Sequence, residues 1–254
     1  MDLGLQGTHI LITGATRGIG RAIAFTAAEE GAHISFCARD AAAVDSTLTE
    51  LTAKGVKAFG RPLDVADELA LSAFVNDAAQ HFGRLDGVVA NASALVEGSS
   101  RQAFEQAFNV DLMHTRCAAE TARAHLEKSK QGAFVAISSI SGSEAYGYGS
   151  VAYGTMKAAM FFYVKSYARK VAKHGIRANL VSPGTTFFEG GFWDKVKQND
   201  PASFADTIAF NPMGRMATAD EIANVAVFLL SPKASFVSGE AVTVDGAATL
   251  RIPG

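Results

Sequence analysis

The chain is poor in the residues that would suggest metal, disulfide or membrane chemistry. Its 254 residues include two cysteines, one tryptophan and six prolines, and 23 basic against 25 acidic residues leave a formal charge of -2. With both signs interspersed, there is no basic footprint for nucleic acid and no acidic tail. Cys37 and Cys117 fall in a predicted strand and a predicted helix, which predicts buried reduced thiols rather than a disulfide. The histidines, at positions 9, 33, 81, 114, 125 and 174, never stand three to five apart and join no cysteine in a ligand pattern. No metal is expected. No apolar run reaches the roughly 18 residues of a membrane span, and the N-terminus MDLGLQGTH has no basic segment leading into an apolar one. The expectation is a cytoplasmic protein whose partner is a small molecule or a copy of itself, with no nucleic-acid or membrane partner.

What is present is a substantial apolar fraction, 48%, arranged in alternation. Short runs rich in Val, Ile and Phe occur at 9–13, 33–38, 56–64, 85–91, 132–139, 176–182 and 241–246. Segments of helical period lie between them, at about 18–30, 41–53, 67–82, 101–127, 150–173 and 218–230. That rhythm predicts α/β structure, a doubly wound parallel sheet with right-handed crossovers, built as one domain over residues 1–254. One gap, 183–217, carries Pro183, Pro201 and Pro212 with Phe187, Phe188, Phe192, Trp193 and Phe204. It reads as an insertion that forms a substrate lid over about residues 185–217.

The stretch THILITGATRGIGRAIA, Thr8 to Ala24, puts Gly14, Gly18 and Gly20 between the first strand and the first helix. In a doubly wound sheet this turn offers backbone N–H groups and the positive end of a helix dipole to a pyrophosphate. A tight turn without a ligand would use the same glycines, and no Gly-Lys-Ser/Thr follows to make a nucleotide-hydrolase loop. The second strand ends in Ala38-Arg39-Asp40. An acid at its end would bind a ribose 2′-hydroxyl, whereas Arg39, with Arg17 from the glycine turn, suits a 2′-phosphate. NADP(H) is therefore favoured and NAD(H) is possible, Asp40 being the residue that could turn toward the ribose.

The strongest chemical signal is Tyr153-Gly-Thr-Met-Lys157. Positions i and i+4 share a helix face, and a cation within about 4–6 Å of a tyrosine favours its phenolate and suits it to proton transfer. Ser138 and Ser139 end a strand at the same sheet edge as the glycine turn.

These pieces together resemble the classical short-chain dehydrogenase/reductase family. The matching segments are TGATRGIG at 13–20, LDV at 63–65, DGVVANAS at 86–93, NVD at 109–111, SSISG at 138–142, YGTMK at 153–157, SPG at 182–184 and SGEAVTVDGA at 238–247. The resemblance implies a Rossmann-type domain with a seven-stranded parallel sheet, assembled as a homotetramer or homodimer. It implies a catalytic tetrad of Asn109, Ser139, Tyr153 and Lys157, interconverting a ketone and a secondary alcohol by hydride transfer. It also implies cofactor contacts from Gly14, Gly18, Ile19, Gly20, Asp64, Val65, Asn91 and Pro183, and the expected cofactor set adds Thr16, Arg17, Arg39, Gly184 and Thr186, with Tyr153 and Lys157. In the family the asparagine holds a water of a proton relay and the lysine binds the nicotinamide ribose.

Three positions depart from the pattern. Ser93 stands where the family has glycine. Ser139 and Tyr153 are fourteen positions apart, one more than is typical, which leaves Ser138 and Ser141 as alternatives. Phe188 replaces a threonine that contacts the carboxamide, so Thr185 or Thr186 is the expected substitute. Tyr146, Tyr148 and the lid aromatics would either line a pocket for an apolar or cyclic carbonyl compound or pack the lid on the core. A non-catalytic dinucleotide-binding protein or a methyltransferase would keep the glycines but has no need of Tyr153 and Lys157.

Overall fold

The computed structural model describes residues 2–145 and 150–250; Tyr146 and Tyr148 lie outside the described residues. Among the described residues the strands are β1 (His9–Thr13), β2 (His33–Ala38), β3 (Ala58–Pro62), β4 (Gly87–Ala90), β5 (Ala133–Ile137), β6 (Arg177–Pro183), β7 (Thr186–Phe187), β8 (Ala217–Thr218) and β9 (Ala241–Val244). Seven form one parallel sheet in the order β3-β2-β1-β4-β5-β6-β9, while β7 and β8 pair separately.

The central strands are apolar on both sides because helices cover both sheet faces. Ile10 and Ile12 of β1 point to a core shared with α1 (Gly18–Glu29), α2 (Ala41–Ala53) and the C-terminal helix at 219–230. Leu11 points the other way, into a core with α3 (Glu68–Phe82) and the helices that follow β4 and β5.

The helix predicted over 101–127 is interrupted. It consists of α4 (Arg101–Ala107), a π-helical turn Phe108–Met113, and α5 (His114–Leu126). Side chains hold the widened turn: His114 Nδ1 meets the Val110 carbonyl at 2.7 Å, and the Thr115 hydroxyl donates to the Asp111 carbonyl at 2.6 Å. Then come α6 (Val151–Val171), α7 (Phe192–Asn199), α8 (Pro201–Phe210) and α9 (Ala219–Leu230). The gap 183–217 thus holds two short helices and the β7–β8 pair. No described helix is long and apolar enough to cross a membrane. Both cysteines are buried and unpaired.

Strand order reverses between β1 and β4, the place where such sheets open a crevice at the carboxyl ends of their strands. The buried ammonium of Lys157 and the glycine turn both lie at this edge.

Candidate active site

A cavity of about 1220 Å³ opens at the crevice. The expected cofactor residues line it, Gly14, Thr16, Arg17, Ile19, Gly20, Arg39, Asp64, Val65, Asn91, Pro183, Gly184 and Thr186 among them, and so do Asn109, Ser139, Tyr153 and Lys157. Gly18 alone of the set lies off the wall, because the Phe188 ring sits on it: a Cβ there would come within 2.6 Å of Phe188 Cζ.

The glycine turn is built from backbone that excludes side chains. Gly14 is left-handed, with φ of 70°, a conformation that favours glycine. A Cβ on Gly20 would stand 2.3 Å from both Asn91 Nδ2 and the Gly14 carbonyl. The Thr13 hydroxyl accepts the N–H groups of Asn91 and Ala92 at 3.0 and 3.2 Å and meets His114 Nε2 at 2.8 Å. Because the Val110 carbonyl can only accept, His114 Nδ1 carries the ring hydrogen and Nε2 accepts from Thr13. Burial holds this imidazole neutral, its pKa lowered to about 4.

Helix α1 follows Arg17 with no side-chain cap and no acidic residue in its first turn, whereas Asp40, Asp67 and Ser150 cap α2, α3 and α6. Its free N–H groups and dipole are unopposed at the cavity, the arrangement that suits an anion. Arg17 and Arg39 are exposed beside it, and among the described residues neither forms an ion pair. Asp40, the residue that could have competed for a ribose, accepts the Ala43 N–H at 3.0 Å as the cap of α2.

On the facing wall, α6 presents Tyr153 half-buried and Lys157 buried one turn later, the ammonium 5.4 Å from the Tyr153 ring centroid. Lys157 Nζ donates to the Ile137 carbonyl at 3.0 Å and pairs with Asp111 Oδ1 at 3.1 Å. Sequence reasoning took Asp111 only as part of a motif. The signal available was a carboxylate between Val110 and Leu112, flanked by apolar side chains on a helix that packs inward. The serines separate cleanly. Ser138 is 4% exposed and its hydroxyl donates to the Lys157 carbonyl at 3.0 Å, while Ser139 is half-buried on the cavity wall and accepts the Ser141 N–H at 3.2 Å. Asn109 is exposed on the cavity wall within the π turn rather than in a regular helix.

The departures from the family pattern also have places. Ser93 Oγ accepts the Leu95 N–H at 3.3 Å, and Leu95 is left-handed with φ of 48°. The Thr186 hydroxyl donates to the Gly184 carbonyl at 3.0 Å in an 8% exposed residue, so Thr185, half-buried on the wall, is the more open of the two. The aromatics of 183–217 divide. Phe188, Phe192 and Trp193 line the cavity with Phe210, which sequence reasoning missed, whereas Phe187 and Phe204 pack edge to face at 6.0 Å with Lys197 over both rings.

Among known proteins, a family model described as "Enoyl-(Acyl carrier protein) reductase" matches residues 14–249. The isoepoxydon dehydrogenase of Penicillium expansum is 37% identical over 97% of this chain and 96% of its own. The structure of L-sorbose reductase from Gluconobacter frateurii complexed with NADPH and L-sorbose superposes with a TM-score of 0.92 at 27% identity, over 99% of this chain and 100% of that one. A 3-oxoacyl-[acyl-carrier protein] reductase with bound NAD from Brucella melitensis superposes at 0.86 and 28% identity, over 96% and 92%. The glycine turn, the seven-stranded order and the Ser–Tyr–Lys wall thus accompany matches over nearly the full length, and the chain belongs to the short-chain dehydrogenase/reductase family of oxidoreductases.

Proposed function

We propose that the protein is an NADP(H)-preferring reductase that interconverts a ketone and a secondary alcohol on a small apolar or cyclic molecule. The observation that carries this reading is the convergence of Ser139, Tyr153 and Lys157 on one cavity wall, opposite a glycine turn at an uncapped helix N-terminus.

The residues present fit a dinucleotide. Gly14, Gly20 and the first turn of α1 would hold its pyrophosphate, and Asp64, Val65, Asn91 and Pro183 would flank the remainder. Arg17 and Arg39 would bind a 2′-phosphate. The bound nicotinamide supplies the hydride. Tyr153 gives its hydroxyl proton to the carbonyl oxygen as charge develops there, so that one C–H and one O–H bond replace the C=O π bond. Ser139 donates a hydrogen bond to the same oxygen and fixes its position, while Lys157 places positive charge beside the phenol. Asn109, exposed on the same cavity wall, would hold a water through which Tyr153 is reprotonated.

Phe192, Trp193 and Phe210 form the apolar part of the wall, and residues of about 185–217 act as the lid that reads the substrate. Similar proteins named for isoepoxydon and for L-sorbose support a small-molecule substrate. The outward Phe162, 80% exposed on α6, supports assembly as a homotetramer or homodimer. Light scattering tests the assembly. Titration of nicotinamide fluorescence with NADPH and NADH, followed by turnover on cyclic ketones and polyols, tests the reaction. Binding of neither dinucleotide refutes it, and reduction of an enoyl thioester but no ketone would replace it.

A further inference from the structure

Two carboxylates are buried among the described residues. Asp86 is accounted for by the Arg84 guanidinium, the Ser129 hydroxyl and the His9 N–H at the far end of the sheet. Asp111 has no such role in the fold. Its side chain is 0% exposed, Oδ1 lies 3.1 Å from Lys157 Nζ, and Oδ2 accepts the Ala94 N–H at 3.4 Å. The Lys157 side chain is itself only 2% exposed.

An ammonium at that depth is held by few groups. From its own helix it faces Tyr153, from β5 the Ile137 carbonyl, and from the π turn and α5 it faces Asp111 and the neutral His114. Removing one partner of such a pair leaves the other charge uncompensated out of water, which is far costlier than losing an exposed pair.

We infer that Asp111 is a positioning residue for Lys157: its carboxylate keeps the ammonium charged and fixed beside Tyr153, and through Ala94 it ties that arrangement to the loop carrying Ser93 and Leu95. The inference rests on the reading of Lys157 as part of a reductase site. It is carried by geometry, because the pair is the only ion pair among the described residues with both side chains buried. The titration of the lysine agrees in direction. Burial pulls its pKa down, Asp111 and then Tyr153 push it up, and the balance lies above the ordinary lysine value. The π turn supplies the placement, since it sets Asn109 on the cavity wall and Asp111 in the core within one six-residue segment.

A double-mutant cycle tests this with the full chain: Asp111→Asn, Lys157→Met and both together, each followed by thermal unfolding. Asp111→Asn lowers Tm when Lys157 is present and raises it in the Lys157→Met background, where it removes a carboxylate left unpaired. An equal loss of Tm in both backgrounds overturns the inference. Turnover gives a second readout. In alcohol oxidation, the alkaline limb of the pH profile moves down by about one pH unit in Asp111→Asn, because the ammonium then loses its proton sooner. Asp111→Glu keeps the charge and leaves the limb near its wild-type position. An unmoved limb in Asp111→Asn, or a limb in Asp111→Glu displaced as far as in Asp111→Asn, overturns it. If the wild type turns over no carbonyl or alcohol, the reductase reading fails while the unfolding cycle still decides the pair.

Discussion

The side-chain amide of Asn91 donates to the carbonyls of Thr13 and Gly14, each at 3.0 Å, and so fastens the end of β4 to the turn after β1. The two strands on either side of the switch point are therefore joined by side-chain as well as backbone bonds, and the glycine turn is braced against the end of β4.

Gly20→Ala places a methyl group against that amide, where a Cβ would stand 2.3 Å from Asn91 Nδ2. The expected cost is about 1–3 kcal/mol from overpacking, seen as a lower Tm. Dinucleotide affinity, measured by nicotinamide fluorescence, should fall about tenfold or more as the turn deforms. An alanine variant with unchanged Tm and affinity contradicts the geometry.

Arg39→Ala should weaken NADPH binding by about tenfold, the worth of one charge-assisted hydrogen bond, and leave NADH binding nearly unchanged. Asp40 is engaged as a helix cap through the Ala43 N–H, so it does not take over the ribose. Equal losses for both cofactors would remove the 2′-phosphate assignment.

Tyr153→Phe deletes a hydroxyl and little volume. Turnover is expected to drop by about 10²-fold or more with dinucleotide affinity retained. Ser139→Ala should lower turnover by a comparable factor. Ser138→Ala, whose hydroxyl serves the Lys157 carbonyl, should act mainly on Tm. Reversal of the two serine phenotypes would reassign the oxygen-binding residue.

Stability should fall on acidification through two buried imidazoles. His9 is held by the Arg84 carbonyl and the Ser35 hydroxyl, and its pKa is lowered to about 4, as is that of His114. Both groups protonate in the unfolded chain near pH ~6.5. The folded state thus keeps its full advantage above that value and loses it as pH falls toward about 4. Calorimetry between these limits should show Tm falling with uptake of up to about two protons on unfolding, and His9→Gln should flatten the slope. A Tm independent of pH over this interval would show that neither ring is neutral for the reason given.

Much of the fold could be read in the sequence because its strands are short apolar runs bounded by helical periods. The run 132–139 contains β5 and the run 33–38 is β2. The π turn was hidden, since Phe104, Phe108 and Leu112 keep a regular spacing, and the bonds from His114 to Val110 and from Thr115 to Asp111 that accompany the extra residue are local ones any helix can make. The β7–β8 pair and helices α7 and α8 were too short to show periodicity. The glycine turn and the Tyr153–Lys157 face were legible from local spacing. Asp111 was not, because its partner is 46 positions away and no local pattern joins them.

The choice between Ser138 and Ser139 turns on how the serine strand meets α6. A Cβ on Gly142 would lie 2.6 Å from the Lys157 carbonyl carbon, and one on Gly154 would lie 2.8 Å from the Ser141 carbonyl oxygen. The backbone at each of these glycines is thus pressed directly on the opposite partner, with no side chain between the serine strand and α6. A side chain at either position would push the strand end and the helix apart, and Ser139 and Tyr153 with them.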